Sequence, residues 1–298
     1  MSATYDSVFR PDLFKDQVIL VTGGGTGIGR CIAHELAALG ATTLVAARRE
    51  EKLHETVSEI AASGGRAHAY TLNIRDDEAV EEAVKEMVAD HGRIDGLVNN
   101  AGGQFASPAA MMKPKGWRAV IDTNLNGTFF VSQAVFRHAM CKGGGVIVNI
   151  VADMWNGFPG MAHTGAARAG VVNLTKTLAI EWAAAGVRVN AVAPGIILSS
   201  GMNNYPPSVL KMAMRLFKKI PVSRAGTESE VSAAVTFLLS PAGRYITGET
   251  LRVDGAASLQ KEPMIPTPTH DNAPSFDGFH LPADLPEPLR PKTEAEDA

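Results

Sequence analysis

Short apolar runs alternate with longer stretches of helical period along this chain. The runs fall at Gln17–Thr22, Thr43–Ala47, Ala67–Leu72, Ile94–Asn99, Val146–Val151, Val187–Val192 and Thr250–Val253. Between them, apolar positions recur with the helical period at Ile28–Leu39, Glu50–Ala62, Asp77–His91, Thr128–Met140, Ala166–Ala184 and Glu228–Leu239. Near-continuous apolar strands separated by amphipathic helices predict an α/β protein with a doubly wound parallel sheet of about seven strands, helices covering both faces. One domain over residues 14–259 accommodates this rhythm, after an N-terminal arm at residues 1–13. Two segments break the rhythm. Residues 199–220 read as a small helical lid inserted before the last strand, and residues 260–298, rich in proline and poor in apolar residues, read as an extended tail.

Composition narrows the class. The chain has 298 residues, 45% of them hydrophobic, which suffices for a substantial core. The 28 basic and 31 acidic residues leave a net charge of −3 with no basic block, which argues against nucleic acid as a partner. The only cysteines, Cys31 and Cys141, have no metal-type or disulfide-type spacing, so no metal is expected and a reducing compartment fits. No apolar run reaches membrane-spanning length, the N-terminus lacks an apolar signal core, and the final TEAEDA is no peroxisomal address. The expectation is a cytoplasmic protein with no membrane partner.

The first strand runs directly into Thr22-Gly23-Gly24-Gly25-Thr26-Gly27-Ile28-Gly29, and a helix follows at once. Glycines there permit a tight turn and close approach of a pyrophosphate, while the helix start offers free N–H donors and a favourable dipole. The second strand ends at Ala47-Arg48-Arg49 instead of an acid that would bind a ribose 2′-hydroxyl. Arginine holds a 2′-phosphate by charge-assisted hydrogen bonds, so Arg48 and Arg49 favour NADP(H) over NAD(H).

Further motifs converge. Asn99-Asn100-Ala101-Gly102 follows the fourth strand, Asp122-Thr123-Asn124-Leu125-Asn126-Gly127 precedes a long helix, and Pro194-Gly195 follows the sixth strand. With the glycine turn, these resemble the short-chain dehydrogenase/reductase superfamily over residues 14–257. The resemblance implies a Rossmann-type fold. It also implies that Asn100, Ala101 and Gly102 close over the adenosine side, that Asn73 and Ile74 contact the adenine, and that Pro194, Gly195 and Ile197 contact the nicotinamide carboxamide. Members of the superfamily mostly form homotetramers through two long helices, here Thr128–Met140 and Ala166–Ala184.

The resemblance breaks at the catalytic set. The superfamily places Ser, Tyr and Lys on the fifth strand and the helix after it. Here Val151 and Ala152 stand for the serine, Thr164 for the tyrosine and Arg168 for the lysine, and only Asn124 of the usual tetrad remains. Threonine is no acid near neutral pH, and arginine binds ribose hydroxyls but relays no proton. A branch that reduces enoyl thioesters also abandons this set. The stretches Gly102–Phe105, His163–Val171 and Pro268–Asn272 are similar to peroxisomal-type trans-2-enoyl-CoA reductases and, more distantly, to 2,4-dienoyl-CoA reductases. The resemblance extends to bacterial dehydrogenases of acyclic terpenoids. The leading expectation is an NADPH-dependent reductase of a trans-2-enoyl-CoA or related acyl thioester. An NADP-linked dehydrogenase of a citronellol-type alcohol or aldehyde is the alternative, and a protein that binds NADPH without turnover is a third. Candidate proton donors are Asp153, which reads equally as a helix or turn cap, His163, a residue that at a helix start is more often a structural hydrogen-bonder, and ordered water. Gln104, Trp155 and Tyr205 are the candidate substrate contacts. The lid residues Lys211, Arg215, Lys218 and Lys219 share one helical face and read either as a solvated surface or as a contact for coenzyme A phosphates.

Overall fold

The computed structural model describes residues 4–259 and 268–290; residues 1–3 of the arm and 260–267 and 291–298 of the tail lie outside the described residues. Seven strands form the main sheet: β1 (Val18–Thr22), β2 (Thr42–Ala47), β3 (Arg66–Thr71), β4 (Gly96–Asn99), β5 (Gly145–Ile150), β6 (Val187–Pro194) and β9 (Thr250–Val253). They lie in the order β3-β2-β1-β4-β5-β6-β9, every neighbouring pair parallel. A two-residue ladder, β7 (Ile197–Leu198) with β8 (Gly226–Thr227), brackets the segment 199–220 that the sequence reading expects as a lid.

The helices are α1 (Gly27–Ala38), α2 (Glu50–Ala62), α3 (Asp77–His91), α4 (Pro114–Ile121), α5 (Gly127–Val135), the short α6 (Cys141–Gly143), α7 (Ala162–Glu181), α8 (Pro207–Phe217) in the lid, and α9 (Glu228–Leu239). The alternation of side chains along the strands divides the core in two. Leu20, Leu97 and Ile147 face α3, α5 and α7, meeting Val84, Met87, Val131, Val135 and Leu178. Their neighbours Ile19, Val21, Val98 and Val148 face the other way, meeting Ile32 and Leu36 of α1 and Val231 and Val235 of α9. Helix ends follow local chemistry. Asp76 caps α3, which stops at a left-handed Gly92, and Thr227 with Glu230 forms a capping box on α9. Helix α4 is not legible in the apolar pattern, because it is 8 residues long and buries only Val120; Pro114 starts it.

The described tail has no regular element beyond the single turn Glu287–Leu289, yet it is anchored. Phe279 and Leu285 are buried, and Phe279 packs with Tyr5 and Cys31. Arg224 donates to the carbonyls of Ala273 and Pro274, and Thr227 donates to that of Phe276. Single anchors without a period leave no pattern in sequence. Among the described residues, no helix is long and apolar enough to cross a membrane.

Candidate active site

In an open parallel sheet the ligand crevice forms beyond the C-terminal strand ends, where the strand order reverses. Here that is the junction of β1 and β4, and it gathers the glycine turn and the Asn99–Gly102 loop. Buried Thr22 ties them: its Oγ1 accepts from the backbone N–H of Asn100 and Ala101 at 3.1 and 3.0 Å. The Asn100 side chain donates to the carbonyls of Thr22 and Gly23 at 3.0 and 3.3 Å. Two glycines are required here. Gly23 has φ of +68°, and a Cβ on Gly29 would lie 2.3 Å from both the Gly23 carbonyl oxygen and Asn100 Nδ2.

The residues present fit a dinucleotide. Thr26, the cap of α1, makes no side-chain cap hydrogen bond, which leaves the first N–H groups of the helix for a phosphate, and Gly25 and Ile28 complete the turn. Arg48 and Arg49 are exposed at the end of β2 and form no ion pair among the described residues. Asn73 is exposed after β3, while Ile74 is buried beneath Gly127. At the far end of the sheet the Gly195 N–H donates to Val253, the Pro194 carbonyl accepts from Asp153, and Ile197 is buried in the lid-base ladder.

Arg168, from α7, reaches the centre of this edge. Its Nη1 donates to the Ile150 carbonyl at 2.6 Å, its Nε has no partner among the described residues, and no carboxylate pairs with it there. Burial lowers its pKa to about 10. A Cβ on Gly102 would lie 2.6 Å from Arg168 Nη2 and 3.1 Å from Asn124 Oδ1, so these three share one spot. Asn124 sits in a wide π-type turn, Asp122–Asn126, and clamps Gly103 by accepting from its N–H at 2.9 Å and donating to its carbonyl at 3.0 Å. A buried guanidinium with unused donors is a costly arrangement that a ribose or another polar ligand would satisfy.

The proton-donor candidates occupy two different places. His163 and Thr164 are buried in the first turn of α7; His163 Nδ1 accepts from the Thr164 N–H at 2.7 Å, and the ring meets Phe105 edge-on at 4.5 Å. Burial lowers the His163 pKa, which keeps the imidazole neutral. Asp153 follows β5, half-buried, and burial together with nearby Asp254 raises its pKa, against smaller opposing effects of the Trp155 N–H and Arg252. Trp155 is partly exposed and stacks beneath Arg252 at 4.1 Å. Gln104, in the loop after β4, donates to the hydroxyl of Tyr205 in the lid. Loop and lid are thereby joined by two of the candidate substrate contacts, and burial raises the Tyr205 pKa. Lys211, Arg215, Lys218 and Lys219 are all exposed, with no ion pair among the described residues. The structure adds residues that carry no motif. Ser199 and Ser200 of the lid base and Glu228 of α9 border Gly27.

A family model described as Enoyl-(Acyl carrier protein) reductase matches residues 23–257. The chain is 40% identical over 253 residues to the "Probable 2,4-dienoyl-CoA reductase [(2E)-enoyl-CoA-producing]" of Bacillus subtilis, covering 84% of this chain and 100% of the relative. A solved citronellol catabolism dehydrogenase of Pseudomonas aeruginosa PAO1 is 50% identical with a TM-score of 0.77, covering 85% of this chain and 100% of that one. A solved short chain dehydrogenase from Bacillus anthracis is 35% identical with a TM-score of 0.74, covering 83% and 99%. With its parallel sheet, its glycine turn and these matches, the chain belongs to the short-chain dehydrogenase/reductase family, oxidoreductases that work with a nicotinamide cofactor.

Proposed function

We propose that this enzyme uses NADPH to reduce the double bond of a trans-2-enoyl-CoA or related acyl thioester. The observation that carries the reading is the pair Thr164 and Arg168 on α7, both buried, standing where the family's usual set has a phenol and an amine. A ketone reductase protonates an oxygen and needs an acidic hydroxyl there. An enoyl reductase protonates a carbon and needs donors for an oxygen that becomes negative in passing. The similarity to proteins named 2,4-dienoyl-CoA reductases supports the same choice.

Bound NADPH would supply the hydride. Arg168 has an unused donor to hold its ribose, Asn124 keeps the Gly103 loop beside that guanidinium, and Arg48 and Arg49 have the charge to hold a 2′-phosphate. The Gln104 amide, released from Tyr205, would donate to the thioester oxygen. Asp153, whose carboxyl is pushed by burial and by Asp254 towards holding its proton, is the acid for the α-carbon. Neutral His163 is walled in by Phe105 and supports Thr164.

Stopped assays with crotonyl-CoA and NADPH test the proposal directly. Turnover of crotonyl-CoA supports it. Oxidation of citronellol with NADP+ and no thioester reduction supports the second reading, which rests on the 50% identical citronellol catabolism dehydrogenase. Tight NADPH binding with neither reaction supports a binding protein. Equal KM for crotonyl-CoA and a short pantetheine thioester would remove coenzyme A phosphates as ligands of the basic lid face. We further propose a homotetramer through α5 and α7, the latter of which leaves Ile180 79% exposed; a monomer in sedimentation would overturn this.

A further inference from the structure

Glu228 is the first residue of α9, where an acidic side chain ordinarily points to solvent and favours the helix dipole. This one is turned inward. It is 6% exposed, and its Oε1 has no hydrogen-bond partner among the described residues. What it faces is the glycine turn. A Cβ on Gly27 would lie 3.7 Å from Glu228 Oε1, 3.1 Å from Ser200 Oγ and 3.9 Å from Ser199 Cβ. Gly27 is also the first residue of α1, whose N–H groups are left uncapped by Thr26. A buried carboxyl and the anion-attracting end of a helix therefore share one small volume, roofed by the base of the lid.

The groups around Glu228 do not neutralise it. From α1 come Arg30 and Cys31, from the tail Asp277, and from the lid base the Ser200 N–H. Arg30 is already committed to Glu59, which it holds through two hydrogen bonds of 2.7 Å. Within α9, Glu230 is taken by Arg224 and the Thr227 cap. Burial pushes the Cys31 thiol well up, so it stays uncharged. For Glu228, burial and then Asp277 outweigh Arg30 and the Ser200 N–H, and its pKa rises to about 7. A phosphate beside Gly27 would add a second like charge and favour the neutral acid further.

We propose that Glu228 couples dinucleotide binding to a proton: the pyrophosphate settles at Gly27 only with the Glu228 carboxyl in its uncharged form. The proposal rests on the glycine turn being the dinucleotide site. Its acid form also supplies an O–H donor to a group that otherwise has only acceptors. The sign follows from linkage. Binding takes up a proton at pH values above the free-state pKa, and affinity falls there by up to tenfold per pH unit.

The test is isothermal titration of the full-length protein with NADP+ between pH 7 and 9, in pairs of buffers that differ in ionisation enthalpy. The 2′-phosphate itself titrates near pH 6, below this window. At pH 8 the wild type is expected to take up close to one proton, and its Kd to rise about tenfold from pH 8 to 9. Glu228→Gln, checked for folding by thermal scan, is expected to take up none and to hold one Kd across the window. No proton uptake by the wild type overturns the proposal without recourse to any variant. Equal pH slopes for wild type and Glu228→Gln, or loss of binding in a folded Glu228→Gln protein, overturn it as well. No NADP+ binding by the wild type at any pH would overturn the dinucleotide reading itself, and the proposal with it.

Discussion

Arg168→Met separates a residue that holds cofactor from one that holds the fold. Burial drops the Arg168 pKa from its ordinary range above 12 to about 10, and at about 1.4 kcal/mol per pH unit this is a destabilisation of roughly 3 kcal/mol in the empty protein. Methionine removes that cost but orphans the Ile150 carbonyl, which costs about 1–3 kcal/mol. The empty variant is therefore expected to be as stable as the wild type, or up to about 2 kcal/mol more stable. With NADP(H) the order reverses. At a thousandfold excess over Kd, ligand adds about 4 kcal/mol, and at about 2 °C per kcal/mol for a chain of this size the wild-type Tm rises by about 8 °C. Loss of two charge-assisted hydrogen bonds at about 1.5 kcal/mol each weakens binding about 100-fold. The NADP(H)-induced shift in the variant then shrinks to about 3 °C. Thermal scans of both proteins, with and without NADP(H), read all four values. A fall of more than about 5 °C in the empty variant would make Arg168 a structural residue, and an undiminished NADP(H) shift would remove it from the cofactor site.

Three further outcomes follow from the site. Arg48→Ala is expected to lower kcat/KM for NADPH about 10- to 100-fold, the worth of a charge-assisted phosphate contact of about 1.5–3 kcal/mol, and to leave that for NADH unchanged; equal losses with both would disprove a 2′-phosphate role. Asp153 is active as the protonated acid and has a raised pKa, so kcat is expected to decline as pH rises through that pKa; Asp153→Asn is expected to lower kcat and abolish this limb, and an unaltered pH profile would exclude it as the acid. Asn99 donates to Ser132 and Asn149 in a fully buried chain that continues from Asn149 to Thr175. Asn99→Ala leaves the Asn149 oxygen without a donor, an expected loss of about 2–4 kcal/mol visible as a Tm lower by about 4–8 °C; a change under 1 °C would show that the network relaxes.

The sequence by itself determined the fold, most of its elements and the glycine turn. Strands buried on both faces are apolar along their whole length, and amphipathic helices repeat every 3.6 residues, so Glu50–Ala62, Asp77–His91 and Glu228–Leu239 were legible to the residue. The glycine turn was legible too, because steric constraint at Gly23 and Gly29 is local to the chain. Helix α4 escaped, since an 8-residue helix with one buried side chain has no period. Only the tertiary structure decided which polar residues meet. Gln104 and Tyr205 are 101 positions apart, Gly102 and Arg168 are neighbours across the sheet edge, and the tail is pinned by single anchors such as Phe279. Glu228 shows the reason most plainly. In sequence it is an acidic residue at a helix start, as at countless solvated helix ends. Its inward turn against Gly27 comes from the packing of α1, α9 and the lid base, and burial and electrostatics depend on distances in space that no local pattern records.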